Sequence, residues 1–117
     1  MIVSAALCSD LFFASRIAEV ARTLGVAHQG ARELAALLAQ ARQSPPTLIF
    51  VDMLWRGGDP AEAILALRAD PATRAARIVA FLPHVQEELA SAAEAAGAQP
   101  VLTRGQLTKQ LAALLSA

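Results

Sequence analysis

Apolar residues along this chain fall into two patterns that alternate: short unbroken runs, and longer stretches in which they recur every three or four positions. The clearest run is TLIFV, residues 47–51, which follows Pro45 and Pro46 and leads into Asp52 before the turn-rich segment from Trp55 to Pro60. A run so short, rich in β-branched and aromatic residues and bounded by Pro and Gly, predicts a strand buried on both faces. IVSAAL at 2–7 and IVAFL at 78–82 read the same way, Val101 and Leu102 form a minimal strand, and 26–30 reads as a weak edge strand.

The periodic stretches predict helices. From Leu11 to Leu24, Phe12, Phe13, Ile17, Val20, Ala21 and Leu24 recur at helical spacing, with Asp10 as N-cap and Gly25 as stop. Residues 31–43 place Leu34, Leu37 and Leu38 on one face and end at the two prolines. Asp59, Pro60 and Glu62 combine an N-cap, a first-turn proline and an early acidic residue, opening a helix that carries Ile64, Leu65 and Leu67 and stops near Asp70, before Pro71. An Ala-rich helix over 85–97 ends at Gly97, and the last runs from about Gln106 to Leu115. Alternating strand and helix implies parallel strands joined by right-handed crossovers with helices on both faces, an α/β doubly wound parallel five-stranded sheet. Asp52 then stands where a central strand leaves the sheet, the edge at which such folds build sites.

Composition narrows the function. At 117 residues the chain reads as one domain, 1–117, with no output domain, large enough to bury its own core. No apolar run approaches the roughly 18 residues of a membrane span, and the opening residues lack the basic segment of a signal peptide, so a soluble chain is expected. Ten basic and ten acidic residues balance, without a basic stripe, which argues against nucleic acid as a partner. The single Cys8 excludes an internal disulfide and fits a reducing cytoplasm.

LIFVDM with Asp52 at the strand end, LRADPATRAARIVAFLP around the fourth strand and AAEAAGAQPVLTR before the last helix together resemble the receiver domains of two-component response regulators, a flavodoxin-like (βα)5 fold. The resemblance covers essentially the whole chain. It implies a magnesium-dependent site in which an aspartate accepts a phosphoryl group, aided by an acidic pair after the first strand, a Ser or Thr after the fourth and a lysine followed by proline after the fifth. Asp52 matches the acceptor. The acidic pair falls on Cys8 and Ser9, with Asp10 one place late; the hydroxyl position is Leu82, the lysine-proline position is Arg104 and Gly105, and the usual aromatic residue of the fifth strand is Val101.

These departures alter the chemistry. Magnesium is held by carboxylates, phosphate oxygens and waters, and Asp52 beside a neutral Ser9 is a poor cage once Asp10 caps a helix. Leu82 donates no hydrogen bond. Arg104 keeps a positive charge, and its planar fork can grip Asp52 in two places, so a standing Asp52 to Arg104 pair is expected. Cys8 lacks the small-residue turn of a cysteine phosphate loop, because Leu11, Phe12 and Phe13 fill it, and reads as a buried free thiol. Trp55 is either an exposed interface anchor or a cover over the shallow pocket beside Asp52. His84 stands at the mouth of that pocket, as a contact residue or an ordinary surface histidine. Neither His28 nor His84 belongs to a metal-ligand spacing.

The expectation is thus a stand-alone, degenerate receiver-like domain, a pseudo-receiver, that acts by protein–protein interaction rather than catalysis, with no cofactor, no metal, and another protein or a second copy of itself as partner. The Ala-rich fourth helix with the last strand and helix forms the surface that receivers commonly use to pair. Two alternatives stay open: a single-domain response regulator phosphorylated on Asp52 in a phosphorelay, and a small enzyme or anion-binding protein using Asp52, Arg104, Ser9 and His84 at the same edge.

Overall fold

The computed structural model describes residues 1–84 and 86–116. Its elements run β1 (Val3–Leu7), α1 (Leu11–Thr23), β2 (Ala27–Ala31), α2 (Leu34–Gln43), β3 (Leu48–Asp52), α3 (Pro60–Ala69), β4 (Arg77–Leu82), α4 (Glu87–Ala96), β5 (Val101–Thr103) and α5 (Arg104–Ser116). The five strands form one parallel sheet in the order β2-β1-β3-β4-β5. The chain leaves β1 toward one edge and returns through β3 toward the other, so the order reverses between β1 and β3. Loops diverge there and leave a crevice at the carboxyl ends of these two strands, where ligands bind in folds of this kind.

Strand alternation sorts the side chains into two cores. Leu7, Ile49, Val51, Ile78, Ala80 and Leu82 face α2, α3 and α4, packing with Leu37, Ile64, Leu67 and Ala93. Ala6, Cys8, Phe50, Val79 and Phe81 face α1 and α5, packing with Phe13, Ile17, Leu107 and Leu111. Because the side-chain period of a strand is two, Asp52 lies on the same face as Phe50, toward α1 and α5. Phe50 and Phe81 are fully buried, and each contributes about 2–3 kcal/mol of transfer free energy.

The expected elements are all present, with shifts at their ends. Strand β2 is the edge strand and lies one residue later than expected, since Ala31 still pairs with Leu7 and its carbonyl accepts the Cys8 N–H at 3.1 Å. Helix α2 therefore begins at Leu34 rather than at 31. The sequence places the start of α4 at Val85, which lies outside the described residues; the helix runs from Glu87 to Ala96 and is capped by Gly97 at φ +119°, the left-handed conformation that glycine tolerates. Helix α5 starts at Arg104, two residues early. A reciprocal capping box explains this: Thr103 Oγ1 accepts the Gln106 N–H at 3.1 Å and Gln106 Oε1 accepts the Thr103 N–H at 2.9 Å. Arg104 is thereby fixed in the first turn, directly at the crevice. Two assignments to the apolar stripe of α1 fail: Phe12 is 76% exposed and Leu24, just past the helix, 42%, because Phe13, Ile17 and Ala21 take the inward positions.

Candidate functional site

The crevice is built by the ends of β1 and β3 and the first turns of α1 and α5. Asp52, the last residue of β3, is 1% exposed. Its Oδ1 accepts the Leu54 N–H at 2.9 Å, and its Oδ2 lies 3.3 Å from Arg104 Nη2. Arg104 does not fork onto Asp52 as expected. Its other amino group, Nη1, donates to Asp10 Oδ2 at 2.9 Å, so one guanidinium bridges two carboxylates from different elements. The geometry follows from Asp10 reaching into the same space: it caps α1 with Oδ1, accepting from Phe12 N–H at 3.0 Å and Phe13 N–H at 3.2 Å, which leaves Oδ2 free for Arg104. The N–H of Phe13 and then the Arg104 guanidinium hold the Asp10 carboxyl below its ordinary pKa. The Phe13 ring supports the bridge from below, with the Arg104 guanidinium carbon 5.2 Å from its centroid.

Cys8 is buried beneath this bridge as a free thiol. Its sulfur lies 3.4 Å from the Asp10 carbonyl oxygen and 3.5 Å from Asp52 Oδ2, so a single S–H is shared between two acceptors. Burial, and then the adjacent Asp52 carboxylate, push the thiol from 9.0 up to about 12. It is protonated at neutral pH and a poor nucleophile. Because the unfolded chain releases this proton above about 9 and the folded one keeps it, the contribution to stability is complete below pH 9 and is lost as pH rises from there toward 12. Iodoacetamide at pH 8 is expected to leave the native chain unmodified and to alkylate it once urea unfolds it; stoichiometric labelling of the native protein would contradict this placement.

A cavity of about 590 Å³ opens above the bridge, lined by Ser9, Asp10, Arg32, Asp52, Leu54, Arg56 and Arg104, with Leu11 and Phe12 at its rim. Ser9 Oγ accepts the Arg56 N–H at 3.0 Å and so ties the loop after β3 to the loop after β1. Leu82 faces away, in the core under α2, α3 and α4, and offers the cavity no hydrogen-bond donor.

Trp55 matches neither expectation. It is 7% exposed, its indole N–H donates to the Arg32 carbonyl at 2.9 Å, and it packs in the core on the α2 and α3 side, away from the Asp52 cavity. The chain wraps over the ring at Gly57, where a Cβ would lie 2.4 Å from the indole, a fit available only to glycine. His84 is exposed and lines no part of the Asp52 cavity; its Nε2 lies 3.2 Å from Gln86 Nε2. His28, half-buried on the edge strand, has its Nδ1 2.8 Å from Ser4 Oγ, and burial lowers its pKa from 6.5.

No model of a known protein family matches the chain, and no curated protein sequence matches it. Solved structures do. The signal receiver domain of a DNA-binding response regulator from Colwellia psychrerythraea superposes with a TM-score of 0.82 at 16% identity, covering 100% of both chains. The receiver domain of NtrX from Brucella abortus gives 0.83 at 16% identity over 97% of this chain and 94% of that one. The beryllofluoride-activated NtrC4 receiver domain dimer gives 0.78 at 14% identity over 98% and 99%.

A receiver fold implies magnesium beside the central aspartate, and the residues present do not fit it. Among the described residues no group of three or more His, Cys, Asp or Glu could hold a metal ion. All four carboxylate oxygens of Asp10 and Asp52 already accept from N–H, S–H or guanidinium groups. The Arg104 guanidinium supplies between the two carboxylates the positive charge that a divalent cation would otherwise bring. No helix among the described residues is long and apolar enough to cross a membrane. The five parallel strands, the crevice between β1 and β3 and the buried aspartate at the end of β3 thus give this chain the flavodoxin-like fold of response-regulator receiver domains.

Proposed function

We propose that the chain is a receiver-like signalling domain of the degenerate type, acting through protein–protein contact without phosphorylation of Asp52 and without catalysis. The observation that carries this reading is the Arg104 bridge to Asp10 and Asp52. Phosphoryl transfer to a carboxylate needs an exposed oxygen, a cation to neutralise the incoming charge and donors for the transferred oxygens. Here Asp52 is 1% exposed, both of its oxygens are engaged, and the residue at the hydroxyl position is the buried Leu82. With the switch chemistry displaced, signalling passes through surface contacts in this reading. That one neighbour of the same fold is a receiver dimer supports including a second copy among the partners. Incubation with acetyl phosphate and magnesium, followed by intact-mass measurement, is expected to leave the mass unchanged. A phosphoryl adduct that disappears in Asp52→Asn would overturn the reading.

A further inference from the structure

The face of α4, where receivers of this fold commonly pair, presents Glu87, Glu88, Ser91, Glu94 and Ala95 and no large exposed apolar residue. Three of the six exposed large apolar side chains lie on α1 or just beyond it, Leu11 at 61%, Phe12 at 76% and Leu24 at 42%, the others being Met1, Leu54 and Leu65; Phe12 is the one aromatic among them. Beside them runs a groove of about 540 Å³ between α1 and α5, lined by Phe12, Arg16, Glu19, Val20, Leu24 and Ala112.

We propose that this stripe of α1 is the face on which two copies of the chain pair, helix against antiparallel helix. The proposal rests on the protein-interaction reading above and names its partner and surface. Phe12, Arg16, Glu19 and Thr23 follow one another at steps of four and three residues and so form a single line along the helix. A two-fold axis crossing between Ile17 and Ala18 sets Phe12 of one copy against Thr23 of the other and Arg16 against Glu19. By symmetry each of these matches occurs twice. Parallel pairing would instead set Arg16 against Arg16 and Glu19 against Glu19, a like-charge cost that selects the antiparallel arrangement. Within one copy these charges are weakly committed. Glu19 stands 4.0 Å from Arg22 with both side chains at least 70% exposed, and Arg16 lies 5.8 Å from the Phe12 ring centroid. The stripe begins at Phe12, whose N–H donates to the Asp10 cap that holds Arg104, so the paired face and the bridge share the first turn of α1.

Sedimentation velocity on the full chain tests this. A dimer is expected, weakened about tenfold by Arg16→Glu and by Glu19→Arg separately, because each creates two like-charge contacts. The combined swap is expected to restore association, since it rebuilds both pairs with their signs exchanged. All of these positions are exposed, and circular dichroism melting confirms that the variants fold. A monomer at every attainable concentration, a dimer indifferent to the single swaps, or a double swap that fails to rescue would each overturn the pairing. These results are separable from the phosphodonor experiment: labelling of Asp52 would remove the phosphorylation-independent reading, while sedimentation alone decides the α1 face.

Discussion

Replacing Arg104 with alanine is expected to cost about 3 kcal/mol of folding stability, read as a lowered midpoint in urea. The substitution leaves Asp52 as a charge at 1% exposure without its counter-ion, and breaking a buried pair from one side is far more costly than the pair is worth. The loss falls at the low end of the usual range for two reasons. Asp52 keeps the Leu54 N–H and the Cys8 thiol, and the Arg104 side chain is itself 26% exposed. The Asp10 arm, with its carboxylate side chain 34% exposed, adds less than about 1 kcal/mol. Arg104→Lys is expected to recover only part of the loss, since one ammonium cannot hold two separated carboxylates as a planar fork does. A loss below about 1 kcal/mol for Arg104→Ala would mean that the bridge is ornamental.

Phe13→Ala is expected to be as severe, about 3–4 kcal/mol. Phe13 is 7% exposed, its ring lies 5.0 Å from Phe81 at a tilt of 31°, and the Arg104 guanidinium carbon stands 5.2 Å from its centroid. Truncation opens a cavity between α1 and the sheet and also removes the platform that keeps Arg104 aimed at the two carboxylates. Phe13→Leu separates the two effects. It restores most of the volume at a cost of about 1 kcal/mol but not the aromatic face. If the ring matters only as filler, Phe13→Leu will leave the stability lost on removing Arg104 unchanged; if it supports the bridge, that loss will shrink.

The sheet was legible because its central strands have the simplest signature available, unbroken apolar runs ended by Pro, Gly or a capping residue. Strands β3 and β4 and the Asp59 cap of α3 fell where those signals put them. Helix boundaries were read less well where a local hydrogen bond outweighed periodicity. The Thr103–Gln106 capping box was present in the sequence as T-R-G-Q and moves the start of α5 back to Arg104. Phe12 and Phe13 cannot be assigned to inside and outside from adjacency alone; the sheet decides, by giving Phe81 a partner.

At the site, Asp52 was legible because the carboxyl end of a central strand is where such folds build sites, whereas Arg104 and its nearness to Asp52 followed from the resemblance to receiver domains, whose lysine position it fills. The second arm of the bridge was not. Capping explains Asp10 in sequence, yet a carboxylate has two oxygens, and capping uses only Oδ1. Trp55 escaped for a different reason. A tryptophan next to two glycines can fold under its own loop when a carbonyl waits for the indole N–H, and the Arg32 carbonyl comes from the distant end of β2.

In the proposed function, the pair of Arg104 with Asp52 holds the carboxyl edge in one state. A double-mutant cycle measures that pair directly: Arg104→Ala, Asp52→Asn and the combined variant, each followed by urea unfolding. The expected result is that the double variant loses clearly less than the summed losses of the two single variants, with a coupling of about 2 kcal/mol, since removing both partners leaves no buried charge unpaired. Losses that add to within about 0.3 kcal/mol would show that the two residues are neighbours without being partners, and would contradict the held switch.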